Sequence, residues 1–168
     1  MFCGGFPPSD PFEAPDSFTA VLDLTGAKVN IEARKRYKST AEASSGRLLF
    51  RQQGVGDHAL APMDQLLGGS TDVLTYLLDA WDSGKKILVH CQQGVSRAPT
   101  VAAAFLVKLH MRSEGRLLQT AGGVGLHTAA LNLVRKGRPF IQPNPGFMGV
   151  LENFANQQLE REVLVVDE

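Results

Sequence analysis

The sequence predicts an α/β fold, a central and mostly parallel sheet flanked by helices, on three observations. Ile87-Leu88-Val89 is an unbroken run of β-type apolar residues, the pattern of a strand buried on both faces. Residues 100–109 are apolar on almost every side of a helix, which puts that helix in the middle of the molecule. A short polar loop joins the two, and strands followed by helices in this way build layered α/β domains. With 168 residues the chain is long enough for one such domain and short for two, so residues 1–168 read as a single unit.

The remaining elements follow in order. Met1 to Cys3 reads as a short strand, and Gly4, Gly5, Pro7, Pro8, Pro11 and Pro15 then keep the chain irregular. Val21 to Leu24 is a second short strand, closed by Gly26. Residues 28–47 are polar and read as a short helix followed by a mobile loop. The cluster Arg34-Lys35-Arg36-Tyr37-Lys38 is the solvated face of that helix, with docking of a phosphorylated substrate as the sharper alternative. Leu48 to Phe50 is a further strand, and glycines and Pro62 make turns of the stretch to Gly69.

Ser70 is placed to cap a helix whose apolar stripe is Val73, Leu74, Leu77, Leu78 and Trp81, ending at Gly84. After the strand at 87–89, Pro99 sits in a first helical turn, and Lys108, His110 and Arg112 suit the negative end of that helix. A helix over 127–136 stops at Gly137. The last one starts at Asn144-Pro145 with Phe147, Val150, Leu151 and Phe154 facing the core.

Bulk composition excludes several classes. Lys+Arg and Asp+Glu number 17 each, so no global field draws the chain to nucleic acid or an anionic membrane, and anion recognition must be local. The only cysteines are Cys3 and Cys91, and His58, His90, His110 and His127 fall at no zinc-ligand spacing. The amino terminus lacks the basic start and apolar run of a signal peptide, and no stretch approaches the ~20 residues of a spanning helix. A reducing compartment, cytoplasmic or nuclear, is expected, with both thiols reduced. Cys3 reads as structural, a disulfide with Cys91 being the alternative.

The chemistry is concentrated in His90-Cys91-Gln92-Gln93-Gly94-Val95-Ser96-Arg97, between the most buried strand and the most buried helix. That is the crevice position where α/β folds bind ligands. A short loop feeding a helix amino terminus turns successive backbone N–H groups inward and makes a nest for an anion. Gly94 permits the curl, and the forked, always charged Arg97 can hold two phosphate oxygens. The same positive environment favours the thiolate of Cys91 beneath a bound phosphorus, an activated nucleophile. Gly122-Gly123-Val124-Gly125, by contrast, lacks the third glycine and the preceding strand of a dinucleotide site and reads as a plain loop.

HCQQGVSR matches the HCxxGxxR signature of the protein tyrosine phosphatase superfamily, and in the form VHCxxGVSR it resembles the dual-specificity branch. The resemblance extends to the helix and strand over 70–90, the following helix, and RPFIQPNPGF at 138–147. It covers roughly residues 18–25 and 60–160, with a divergent or inserted segment near 26–59. It implies a phosphatase that hydrolyses phosphotyrosine, and phosphoserine or phosphothreonine as well, in proteins through a cysteinyl-phosphate, without metal or cofactor. Cys91 is then the nucleophile, Arg97 and the backbone of Gln92, Gln93, Gly94, Val95 and Ser96 bind the phosphate, and His90 steadies the loop. The family also uses an aspartate as general acid: Asp64, in Ala61-Pro62-Met63-Asp64, is the first candidate and Asp57 the alternative.

One residue departs from the family pattern. The hydroxyl residue usual after the arginine is Ala98 here, which implies slow breakdown of the phosphoenzyme unless Thr100 or Ser96 substitutes. A phosphate-binding module with little turnover is therefore the alternative function. The uncharged Gln92, Gln93 and Val95 disfavour highly phosphorylated lipids, and the His-Cys pair with the PNPGF ending argues against a sulfur-transferring, rhodanese-like loop.

Overall fold

Four short strands, all parallel, form the sheet of the computed structural model, which describes residues 2–4, 18–26, 31–120 and 123–166. They are β1 (Phe2–Gly4), β2 (Ala20–Asp23), β3 (Leu49–Gln52) and β4 (Ile87–His90), in the order β1-β4-β2-β3. The register sets Cys3 beside Val89, Val21 beside Leu88, and Ala20 beside Leu49. The two inner strands are buried at every position, as their unbroken apolar runs require.

Among the described residues six α-helices accompany the sheet: α1 (Ile31–Ala43), α2 (Met63–Gly68), α3 (Val73–Asp82), α4 (Arg97–Arg112), α5 (Leu126–Gly137) and α6 (Pro145–Val166). α4 is the hub. It packs against α3, α5, α6, β1 and β4, and its residues from Arg97 to Phe105 are all buried. Completely burying a side chain such as Phe105 or Phe147 contributes about 1.5–3 kcal/mol. Asn144 caps α6 by accepting from Phe147 N at 3.0 Å, one turn ahead of the buried face formed by Phe147, Leu151 and Phe154.

Three local expectations change. α3 is capped by Asp72, whose carboxylate accepts from Leu74 N at 2.8 Å and Thr75 Oγ1 at 2.9 Å, not by Ser70. Trp81 lies at the edge of the stripe, 46% exposed, with its ring edge-on to Phe105. The turn-rich stretch before Gly69 contains α2, a single apolar turn and a half that buries Met63, Leu66 and Leu67.

The basic cluster also divides. Lys35, Arg36 and Lys38 are exposed on α1, and Lys35 pairs with Glu32 at 3.1 Å. Arg34 turns inward instead. Its Nε donates to the buried Asp23 carboxylate at 3.0 Å, and its Nη2 to Thr25 Oγ1 at 2.8 Å and Gly26 O at 2.9 Å. The proline-punctuated stretch from Pro7 to Pro15, and Gly122 of the glycine loop, lie outside the described residues.

Candidate active site

The loop between β4 and α4 takes its shape from a buttress. Arg138, just past α5, donates from Nη2 to Gln93 O and from Nε to Gly94 O, both at 2.8 Å. Gln142 N donates to Val95 O at 2.7 Å, and Asn144 N to Ser96 Oγ at 3.3 Å. In a trans peptide the carbonyl and the next N–H point to opposite sides. Carbonyls 93, 94 and 95 drawn outward therefore turn N–H groups 94, 95 and 96 inward. Gly94 N–H indeed approaches Cys91 Sγ at 3.3 Å. Gly94 has φ +69°, a left-handed conformation that favours glycine and lets the loop close on itself.

Cys91 is buried at the floor of this curl, and Arg97 is buried at its rim. Arg97 Nη1 donates to Val55 O at 3.1 Å and Leu24 O at 3.4 Å, so the ends of β2 and of the segment after β3 aim the guanidinium. Its Nε lies 3.4 Å from Asp57 Oδ2 but is not pointed at it, and this buried donor forms no hydrogen bond among the described residues. The contact with Asp57 is thus one of charge, and the N–H stays available to an oxyanion.

Asp57 stands at the site; Asp64 does not. Asp57 Oδ1 accepts from Asn144 Nδ2 at 3.4 Å, tying its segment to the same buttress that shapes the loop. Asp64 lies in the first turn of α2 and lines a cavity of about 450 Å³ with Leu67, Lys108, Asn153, Phe154 and Arg161. The Pro-x-Asp pattern there marks a helix start, where an acidic residue suits the positive helix end. Gln92 and Gln93 are exposed, Val95 is half-buried and Ser96 is buried. Arg138 was not singled out in the sequence, although its place directly after a helix-ending glycine, within the RPFIQPNPGF stretch, was a usable signal.

His90 is buried at the end of β4, directly before Cys91. Its Nε2 is 3.8 Å from Asp23 Oδ1, and its Nδ1 is buried with no hydrogen-bond partner among the described residues. Burial lowers its basicity, only partly offset by Asp23 and the Cys91 backbone. The unfolded chain therefore takes up this proton more readily, and stability is expected to fall as pH drops below about 6.5. Urea melts at pH 7.5 and 5.5 check this: His90→Gln should lose less stability between the two than the wild type, and an equal loss would refute the assignment. Cys3, on the neighbouring strand, is pushed up to about 12 by burial, against a smaller opposing pull from Arg138, so it stays a thiol at neutral pH.

A model of the dual specificity phosphatase catalytic domain matches residues 10–157. The chain belongs to that family. Among individual relatives, the putative tyrosine phosphatase 123R of Invertebrate iridescent virus 6 is 40% identical over 82 residues, 49% of each chain. Dual specificity protein phosphatase 5 of Homo sapiens is 29% identical over 142 residues, 84% of this chain and 31% of that one. The chain thus spans half or less of the length of these relatives. Among solved structures, human DUSP28 superposes with a TM-score of 0.66 at 19% identity, covering 95% of this chain and 94% of that one, which shows the dual-specificity phosphatase fold. No helix among the described residues is long and apolar enough to cross a membrane.

Proposed function

We propose that the chain is a cysteine-dependent protein phosphatase acting on phosphotyrosine, and on phosphoserine or phosphothreonine, with Cys91 as nucleophile, Arg97 as phosphate clamp and Asp57 as general acid. The observation that carries this reading is the convergence of a buried thiol, inward N–H groups 94–96 and an unsatisfied Arg97 Nε on one small volume. Family membership supports the reaction class, and the geometry supports these roles.

In the first step the Cys91 thiolate attacks phosphorus in line, a P–S bond forms, and the P–O bond to the substrate breaks as Asp57 protonates the leaving oxygen. The loop N–H groups and Arg97 hold the charge on the equatorial oxygens. In the second, water deprotonated by the same carboxylate attacks the phosphocysteine and releases phosphate and thiolate. The test is phosphate release from phosphotyrosyl and phosphothreonyl peptides with EDTA present. Turnover blocked by vanadate supports the reading; tight peptide binding without release would make the chain a phosphate-binding module.

The second step bears the mark of Ala98. Thr100 Oγ1 donates to Ser96 O at 2.9 Å, which commits its proton, and Ser96 Oγ accepts from Asn144 N while its own O–H makes no hydrogen bond to Cys91 among the described residues. A departing thiolate then lacks a donor whose bond to a charged group is worth about 1.5–3 kcal/mol. Rapid-quench kinetics should show a burst of product close to one per enzyme, and Ala98→Ser should raise the steady-state rate about tenfold while shrinking the burst. Linear product formation from the first turnover would rule this out.

A further inference from the structure

Two apolar side chains beside the loop stand out in solvent. Leu60 is 92% exposed and Phe140 81%, whereas Ile31 and Trp81, next in order among the large apolar residues, reach only 46%. Single exposed apolar residues are ordinary. These two, however, occupy the two segments that frame the loop. Phe140 lies midway between Arg138 and Gln142, both hydrogen-bonded to loop carbonyls, and so within two residue steps of about 3.8 Å of a loop contact. Leu60 is three residues beyond Asp57, whose carboxylate is 3.4 Å from Arg97 Nε.

Both segments are pinned. Asn144 Nδ2 bonds Asp57, Ala61 N donates to His58 O at 3.0 Å, and Gly146 packs so tightly on Ala59 that a Cβ there would collide with the Ala59 carbonyl. The side chains are thus held out on a fixed backbone, and a partner that covers them has little ordering cost to overcome. Beside the loop, Gln92 and Gln93 face solvent without charge and Arg138 spends its N–H groups on loop carbonyls, while Arg135 and Lys136 are exposed at the end of α5. The net charge is zero, so no field of the whole chain draws it to an anionic bilayer. The apolar pair fits a polypeptide lying across the loop.

We propose that Leu60 and Phe140 form an apolar rim that receives the residues flanking a phosphorylated side chain, so that the site selects phosphopeptides with large apolar neighbours. This rests on the protein-phosphatase reading above. The test uses a Cys91→Ser chain, which binds without turnover, and two labelled phosphotyrosyl peptides, one flanked by Leu and Phe and the other by Asp and Gly. Fluorescence anisotropy should give at least about tenfold tighter binding of the apolar peptide, and Phe140→Ser or Leu60→Ser should each weaken it by about tenfold. Equal affinities, or a preference that survives both substitutions, would overturn the rim. So would co-sedimentation with phosphoinositide vesicles that needs both side chains while peptide binding does not. The two readings fail separately. Wild-type protein that turns over no phosphopeptide while the binding preference stands defeats catalysis and leaves the rim.

Discussion

Replacing Cys91 with serine is expected to reduce hydrolysis of a small aryl phosphate by at least about 10⁴-fold while leaving phosphate binding nearly intact. The asymmetry follows from the division of labour in the loop. In the proposed mechanism binding rests on N–H groups 94–96, fixed by the Arg138, Gln142 and Asn144 buttress, and on Arg97, aimed by Leu24 O and Val55 O. None of these needs the sulfur. Bond making does: a serine hydroxyl is far less acidic than a thiol, and burial of His90 disfavours the imidazolium it would become by taking that proton. The comparison is of steady-state rates with EDTA present, with inorganic phosphate affinity measured in parallel. A serine protein that keeps more than about a hundredth of the activity would sink the cysteine mechanism.

Much of this site was legible because its parts are adjacent in sequence. Cys91, Gly94 and Arg97 share one strand–loop–helix unit, and the continuous apolar runs on either side dictate a buried strand and a buried helix whatever the rest of the chain does. The proposed acid was not legible in the same way. Asp57 reaches the loop only because Asn144, 87 residues later, bonds its carboxylate and Gly146 seats the segment against Ala59. Nothing local distinguishes it from Asp64, whose proline context gave it precedence although that context only opens α2. Arg34 shows the same limit. On α1 it sits among exposed cations, and its burial against Asp23 depends on where the end of β2 falls in three dimensions. Charge clusters announce a solvated face, and only tertiary packing selects the member that turns inward.

The two aspartates are separated by their expected effects. Asp57→Asn keeps size and hydrogen bonding but cannot deliver a proton, and should lower kcat for a phosphotyrosyl peptide by about 10²–10³-fold. Asp64→Asn should stay within about twofold, since that carboxylate lines a cavity beside Lys108 and Arg161 instead of the loop. The Asp57 defect should also shrink as the leaving phenol becomes more acidic, because a better leaving group needs less protonation. A purely structural role would not follow the leaving group. Rates for a series of aryl phosphates with the two Asn variants decide the matter. A large, leaving-group-dependent loss at Asp64 and none at Asp57 would reverse the assignment.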